Sequence, residues 1–212
     1  MLDSGAFTQI NRYGGWKQTP EEYLERAYLL ADKTNGSLSW AAPQDWMCEP
    51  DAIKATGLSV QAHQELTIEN YLELKELDDR DLIIPCLQGW LPEDHLNHVE
   101  MYRAAGVELT ELPLVGVGTI CRRQDTDEIG ALVGSLCAAG IRMHGFGVKA
   151  KGLALYGSQL VSADSMAWSY SAARKGHEGR PRLCGNPAAT HKTCNSCYEW
   201  AHIWYERTRA SC

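Results

Sequence analysis

The sequence lacks four features that would each place it in a familiar class. It has no run of eighteen or more apolar residues and no charged-then-apolar leader, so we expect neither a membrane span nor a secretory signal. Its 20 basic residues are outnumbered by 27 acidic ones, and a net charge of −7 argues against bulk electrostatic coating of nucleic acid, although a local basic groove remains compatible. No Gly-x-Gly-x-x-Gly follows the first predicted strand, which disfavours dinucleotide binding.

A disulfide framework is also missing, although the chain has 8 cysteines. Four of them are scattered through apolar or loop stretches without framework spacing: Cys48, Cys86, Cys121 and Cys137. Free cysteine packs readily as a small hydrophobic residue, so we interpret these four as buried thiols of a reducing compartment. The sequence therefore predicts a cytoplasmic protein without a membrane partner.

Apolar runs alternate with amphipathic stretches along the chain, which predicts an α/β fold built from βα units. Six strands are predicted, around Leu2 and over 37–43, 82–87, 107–115, 141–147 and 155–161. Glycines and polar residues at their carboxyl ends favour a TIM (β/α) barrel over an open sheet. A full barrel has about eight strands. We therefore expect that the chain either begins inside a barrel, lacking its first strands, or has an abbreviated one.

Three aspartates lie where a predicted strand ends and a loop begins, at Asp3, Asp45 and Asp164. In α/β proteins the chemistry is placed at such strand ends. Retaining glycosyl chemistry requires two neighbouring carboxylates, one as nucleophile and one as proton carrier. Asp164 and Asp3 fit these roles if the first and last strands come together, and Asp45 fits a group that reads the polar edge of a base. Each aspartate is alternatively a helix cap or turn former.

The composition changes after Arg174, where we place a domain boundary. Residues 1–174 form the predicted catalytic barrel, and residues 175–212 form a C-terminal zinc-binding helical segment that begins with a basic linker.

The C-terminal segment has the ligand spacing of a zinc site. A Cys-x-x-Cys pair follows a cysteine and a histidine, which gives four candidate ligands: Cys184, His191, Cys194 and Cys197. Four such ligands close a tetrahedral site and predict a structural Zn²⁺. His202 competes for the fourth position, and a redox pair or unliganded thiols are the alternative.

Aromatic and basic residues near the predicted strand ends suggest how a nucleic acid is held. Trp46, Trp90 and Trp168 either stack on a planar base or pack the mouth of the barrel. The basic residues that could grip phosphates follow the later strands and occupy the linker: Arg122, Arg123, Lys149, Lys151, Arg174, Lys175, Arg180 and Arg182.

Several motifs resemble those of the tRNA-guanine transglycosylase superfamily. The opening Leu2-Asp-Ser-Gly-Ala-Phe resembles its Asp-Ser-Gly-Gly-Phe/Tyr motif, and Asp45 resembles its base-reading aspartate. Longer segments are similar to the deazapurine DNA modification proteins, the DpdA-type branch of that superfamily, and lie at 42–50, 87–90, 115–124, 144–149 and 162–169.

This resemblance implies a TIM-barrel enzyme that exchanges guanine in DNA for a 7-deazaguanine base, such as the cyano-substituted preQ0. It implies that Asp164 forms a covalent bond to the deoxyribose and that Asp3 is the general acid and base. The residues that it assigns to base binding are Asp45, Gln88, Gly116, Ser4 and Gly5. The target nucleotide would have to leave its stack. A homodimer is also expected, while the zinc-ligand spacing departs from the Cys-x-Cys-x-x-Cys of the tRNA enzymes.

Two other functions remain open on the sequence. The same carboxylates would serve base exchange on tRNA, or hydrolysis of a deazaguanine nucleoside with water in place of the incoming base. A non-catalytic, nucleic-acid-binding remnant of the barrel is the third hypothesis. Absence of a base-sized pocket holding the three aspartates would favour the remnant.

Overall fold

The computed structural model describes residues 1–175, 182–186 and 188–209, so most of the predicted basic linker, at 176–181, lies outside the described residues. The helices are α1 (Ala6–Tyr13), α2 (Pro20–Lys33), α3 (Pro50–Thr56), α4 (Val60–Leu77), α5 (Pro92–Ala104), α6 (Asp127–Ala138), α7 (Ala150–Tyr156), α8 (Ala167–Lys175) and α9 (Tyr198–Arg209). The strands are β1 (Cys86–Leu87), β2 (Val115–Val117), β3 (Met143–Gly145) and β4 (Ser162–Ala163).

The strands lie side by side, all parallel, in their order along the chain. Their register pairs Cys86 with Gly116, Gly116 with His144, and His144 with Ser162. Single-residue parallel bridges continue the series on the other side of β1, between Leu2 and Ala41 and between Ala41 and Ile83. The α/β class and the sequential parallel order are therefore as predicted. Within the described residues the sheet is not closed, so the complete barrel stays a prediction.

The helices begin where capping residues in the sequence indicate a helix start, because these residues lie next to the helix in the chain. At the start of α2, the Thr19 side chain accepts a hydrogen bond from the backbone of Glu22, and the Glu22 carboxylate accepts one from the backbone of Thr19. Pro20 occupies the first helical position, where no intrahelical N–H bond is lost. The helix ends before Asn35 and Gly36, both in the left-handed region with φ of 50° and 74°.

Two predicted strands are wrong over most of their length. The stretch 107–115 contains a 3-10 turn at Leu109–Glu111, and β2 begins only at Val115. The stretch 155–161 continues α7 through Tyr156 and then a 3-10 turn at Gly157–Gln159. Leu155 is 55% exposed, so its apolar side chain does not mark a buried strand. Sheet pairing resumes at Val161, whose N–H donates to Met143 at 2.9 Å.

The core lies between the sheet and the helices that cover it, and includes Leu87, Val117, Met143, Tyr102 and Leu132. A separate small cluster joins α8 to the Cys/His segment, with Trp200 buried among the cysteines. Among the described residues, no helix combines the length and apolar character that crossing a membrane would require.

Candidate active site

A cavity of about 710 Å³ opens where the strands end. Parallel strands in sequential order bring their carboxyl ends to one edge, so residues far apart in the chain meet there. The cavity is lined by all three predicted aspartates, Asp3, Asp45 and Asp164, together with Gln88. Its volume lies within the range of about 300–1,000 Å³ that small-molecule sites occupy. The structure thus assembles the acids that the sequence singled out.

Asp164 is held by one carboxylate oxygen and keeps the other available. Its Oδ1 accepts a hydrogen bond from the backbone N–H of Gly147 at 2.9 Å and lies 3.3 Å from His144 Nε2. An ionised carboxylate only accepts hydrogen bonds, so the Nε2 that faces it carries a hydrogen. Oδ2 has no hydrogen bond within the part of the chain that the structure describes. With 25% of its side chain exposed, Asp164 is oriented but reachable.

The groups that orient Asp164 are themselves fixed. His144 is buried between the rings of Trp40 and Phe146, with centroids 4.6 and 4.8 Å away, and its Nδ1 lies 2.8 Å from the Ser162 hydroxyl. Gly147 has φ of 68°, and a Cβ there would lie 2.5 Å from the Cβ of Cys121. Only glycine fits this position without strain.

Asp3 provides a second carboxyl group in the same cavity. Solvent reaches it from the cavity, but protein surrounds its other sides. This partial desolvation, followed by the nearby charge of Asp164, raises the pKa of Asp3 above its usual value. Asp3 is therefore suited to carry a proton next to a carboxylate that is held as an acceptor.

Asp45 is a buried acceptor with both oxygens engaged. The Ser4 hydroxyl donates to Oδ1 at 2.5 Å, and Gln88 Nε2 donates to Oδ2 at 2.5 Å. The side chain is only 7% exposed, and burial raises the pKa of Asp45 to about 7 despite the Ser4 hydrogen bond. Ser4 and Gln88 both line the cavity beside it. This arrangement presents a paired acceptor and donor to a planar polar ligand.

The predicted metal ligands come together in the C-terminal segment. The ligand atoms of Cys184, His191, Cys194 and Cys197 all lie within 4.8 Å of one another. His191 Nε2 is 3.3 Å from the sulfur of Cys194 and 3.8 Å from that of Cys184. Zn–S bonds of about 2.3 Å in a tetrahedron separate two sulfurs by about 3.8 Å, so the donor set and spacing fit a metal ion.

The structure also decides between the two candidate histidines. His202 is exposed and stacks on Tyr198 with ring planes 4° apart, outside the cluster of four. The backbone N–H of Asn186 holds the pKa of the Cys184 thiol below its usual value, which favours the thiolate that a metal binds.

A comparison with known families now bears on this geometry. The family described as DpdA, DeoxyPurine in DNA protein A, matches residues 1–212. The chain belongs to the DpdA family. No curated protein and no solved structure matches it. The resemblance inferred from the motifs is confirmed, and it links the chain to a family associated with DNA modification.

This DpdA-family chain places two further polar residues in the cavity wall that sequence reasoning missed. Thr119 donates its hydroxyl to Gln88 Oε1 at 2.5 Å, and Glu49 Oε2 lies 3.4 Å from the same hydroxyl. Thr119 has φ of 58°, a conformation that costs a β-branched residue on the order of 1–3 kcal/mol. Burial raises the pKa of the Glu49 carboxyl, while Arg122 acts in the opposite direction. Both residues lie inside segments that resemble the DpdA-type proteins, at 42–50 and 115–124, and this position was the signal that could have indicated them.

The glycines assigned to base binding occupy different places in this family member. Gly116 lies inside β2, where a Cβ would meet the Phe146 ring at 2.5 Å, and the loop after the strand begins at Gly118. Gly118 lines the cavity, whereas Gly5 is the N-cap of α1 with φ of 83°. The structure therefore brings Gly118, rather than Gly116, beside Gln88.

The three predicted stacking tryptophans pack elsewhere. Trp46 contacts His63, Trp90 lies under the guanidinium of Arg123, and the Trp168 carbonyl accepts from Trp200 Nε1 at 3.0 Å. The aromatic residues that line the cavity are Phe7, Phe146, Tyr170 and Trp204. None of these three tryptophans lines the cavity, whereas Trp204 reaches it from α9.

The basic residues divide into paired and unpaired groups. Arg122, Arg123 and Lys151 form ion pairs with Asp51, Glu128 and Asp125. Lys149 and Arg174 line the exposed side of the cavity and form no ion pair within the described residues. The DpdA-family chain therefore presents cations at this opening despite its net charge of −7.

Proposed function

We propose that the protein exchanges guanine in DNA for a 7-deazaguanine base, such as preQ0, by transglycosylation through a covalent bond between Asp164 and deoxyribose. The observation that carries this proposal is the convergence of Asp3, Asp45 and Asp164 in one cavity with three different environments. Membership of the DpdA family supports DNA as the substrate.

In the first half-reaction, Asp164 Oδ2 attacks C1′ of the target nucleotide. The new O–C1′ bond forms as the bond from C1′ to guanine N9 breaks, and the electron pair leaves with the base. Asp3, whose pKa is raised by burial and by the nearby charge of Asp164, supplies the proton that neutralises the departing guanine. The Gly147 N–H and His144 hold Asp164 in position through Oδ1.

In the second half-reaction, the roles reverse. Asp3, now ionised, removes the proton from N9 of the incoming 7-deazaguanine. N9 then attacks C1′, and the bond to Asp164 breaks with its electron pair returning to the carboxylate. Two displacements retain the configuration at C1′.

Asp45 and Gln88 are the base-reading pair. Guanine presents neighbouring donors at N1 and N2 and an acceptor at O6. The Asp45 carboxylate accepts from the donors, and Gln88 Nε2 donates to the acceptor, as the hydrogen-bonding capacity of each group allows. Ser4 keeps Asp45 oriented during the exchange of bases.

The rim of the cavity supports a polynucleotide substrate. Tyr170 is 67% exposed there, Trp204 lies alongside, and Lys149 and Arg174 supply positive charge. Exposed aromatic faces stack unpaired bases, and cations contact phosphates. An extruded nucleotide and its neighbours would find both kinds of contact at this opening.

The proposal also covers the metal ion and the two parts of the chain. We infer that Zn²⁺ is the ion held by the three cysteines and His191, where four protein ligands would leave no open position and give a structural role. Residues 1–174 would act as the catalytic domain of a TIM-type barrel, and residues 175–212 as its metal-binding segment. A cytoplasmic location and a homodimer stay expectations from the sequence.

The test is incorporation of labelled guanine into nucleic acid. Purified protein is incubated with radiolabelled guanine and, separately, with duplex DNA, single-stranded DNA or tRNA. We expect label to enter DNA, and unlabelled 7-deazaguanine to chase it out. Label that enters only tRNA would indicate base exchange on tRNA, and release of free base without incorporation would indicate hydrolysis.

Two variants separate catalysis from folding in this assay. Asp164→Asn should lose incorporation while retaining its unfolding temperature. Asp79→Asn is the matched control, since Asp79 is exposed and distant from the cavity lining. Full activity of the Asp164→Asn protein would exclude Asp164 as the nucleophile.

A further inference from the structure

Gln88 reads a base through an amide whose two ends are chemically opposite. In the structure its Nε2 end faces the Asp45 carboxylate and its Oε1 end faces the Thr119 hydroxyl, each at 2.5 Å. A half-turn of the amide would exchange donor and acceptor with almost no change in shape. Some neighbour must therefore determine which end Gln88 presents.

Asp45 alone does not determine the orientation of that amide at all pH values. When ionised, Asp45 only accepts, so it selects the Nε2 end of Gln88. Burial raises the pKa of Asp45 to about 7, so part of the population is protonated near neutral pH. A protonated carboxyl group donates, and it could hold the Oε1 end of a rotated Gln88 equally well.

Thr119 supplies a further constraint because its hydroxyl donates to Gln88 in the structure. The backbone N–H of Cys48 donates to Thr119 Oγ1 at 3.0 Å and occupies one of the two lone pairs of the oxygen, which disfavours a second donor there. The hydroxyl proton then has two acceptors in reach, Gln88 Oε1 at 2.5 Å and Glu49 Oε2 at 3.4 Å. The shorter contact directs the proton to Gln88.

The backbone around Thr119 holds this geometry. The residue lies in the left-handed region, which turns its side chain toward the strand end of β1. Next to it, a Cβ on Gly118 would overlap the Gln88 amide, so the amide rests against bare backbone. Gln88 is consequently confined on one face by Gly118 and at one end by Thr119.

We propose that Thr119 is a specificity-determining positioning residue, whose hydroxyl locks the Gln88 amide with its donor end toward the base edge and thereby selects a 6-oxo over a 6-amino purine. This inference rests on the proposed base exchange and extends it to the choice of base. When Thr119 holds the Gln88 amide in this orientation, the cavity offers the Nε2 donor beside the Asp45 acceptor, which matches guanine. With the amide rotated, it would offer an acceptor, which matches the 6-amino group of 2,6-diaminopurine.

The experiment compares two free bases, 7-deazaguanine and 7-deaza-2,6-diaminopurine, as substrates for incorporation into DNA and as ligands in equilibrium binding. We expect the wild type to prefer the 6-oxo base by about 100-fold or more. Thr119→Val keeps the β-branched shape but lacks the hydroxyl, and should reduce the preference at least about tenfold. Thr119→Ser retains the hydroxyl and should keep the preference within about threefold of wild type.

Gly118→Ala gives an independent route to the same result. Its added Cβ displaces the Gln88 amide while Thr119 remains, so it too should lower the preference for the 6-oxo base. If either folded variant, Thr119→Val or Gly118→Ala, discriminated as strongly as the wild type, the proposal would be overturned. Equal discrimination by the Val and Ser variants would also overturn it.

The binding measurement separates this inference from the proposed function. If the wild type incorporated neither base into DNA or tRNA, base exchange would fail, yet the binding preference would still report on Thr119. If the wild type incorporated the 6-oxo base and Thr119→Val kept the full preference, only the role of Thr119 would fail.

Discussion

Replacing Asp45 with asparagine should change how stability depends on pH. Burial raises the pKa of Asp45 from its ordinary value of 3.8 to about 7. The folded protein therefore binds a proton at pH values where the unfolded chain has released it, so stability falls as pH rises from about 4 to about 7. At about 1.4 kcal/mol per pKa unit, the full effect is at most about 4 kcal/mol.

Asparagine does not titrate, so the Asp45→Asn protein should lack this contribution. Its amide supplies one acceptor where Ser4 and Gln88 both donate, which costs on the order of 1–3 kcal/mol. We expect the variant to be less stable than the wild type at pH 5 and to approach or exceed it at pH 8.5. Acids distant from Asp45 titrate in both proteins and cancel in the difference, whereas Asp3 and Glu49, whose charges act on Asp45, contribute to it.

The assay is urea unfolding of both proteins from pH 5 to pH 8.5. Asp79→Asn, which alters an exposed carboxylate, is the control and should follow the wild type throughout. A difference between wild type and Asp45→Asn that stayed constant within about 0.5 kcal/mol over this range would refute the reasoning. Catalysis should show the opposite trend, because the ionised carboxylate accepts from the base: kcat/KM of the wild type should rise through about pH 7.

Three further changes test other parts of the site. Asp164→Asn should lower exchange by about three orders of magnitude or more and abolish the covalent DNA adduct on denaturing gels. Metal chelation, or Cys194→Ser, should alter the fluorescence of the tryptophans packed on the Cys/His cluster, and metal analysis should find zinc in wild type only. Gly147→Ala should lower the free energy of unfolding by at least about 1–2 kcal/mol, and adding Cys121→Gly should restore part of it, as urea unfolding would measure.

Some features could be predicted from the sequence because neighbouring residues, or residues at a fixed spacing, indicate them. Thr19 and Pro20 indicate the start of α2, and the Cys-x-x-Cys pair with a cysteine and a histidine upstream indicates the metal cluster. The three aspartates were found because each lies close to the end of a predicted strand, although only folding could show that they share a cavity. The lengths of the strands could not be predicted as well, because strands of two or three residues are too short to show a periodic pattern of apolar residues.

The residues that were missed depend on contacts between distant segments. Thr119 and Glu49 are 70 positions apart, and no local pattern indicates that the Thr119 hydroxyl faces Gln88. Threonine rarely adopts the left-handed backbone conformation, so tertiary contacts must hold Thr119 in it. Trp204 reaches the cavity because α9 packs against α8, which spacing along the chain does not reveal.

Three carboxyl groups in one cavity repel one another, and their environments differ in a way that supports the different roles proposed for them. Asp164 receives an N–H and an imidazole on one oxygen, which leaves the other oriented for attack. Asp45 receives donors on both oxygens, which suits it to accept from a base rather than to bond covalently to a sugar. Burial, followed by the charge of Asp164, raises the pKa of Asp3, which suits it to the proposed role of proton carrier. Backbone N–H groups of Ser4 and Gly5 also act on Asp3, but burial outweighs them and raises its pKa, whereas Asp164 is oriented by the Gly147 N–H; this difference supports the proposed assignment of Asp164 as nucleophile.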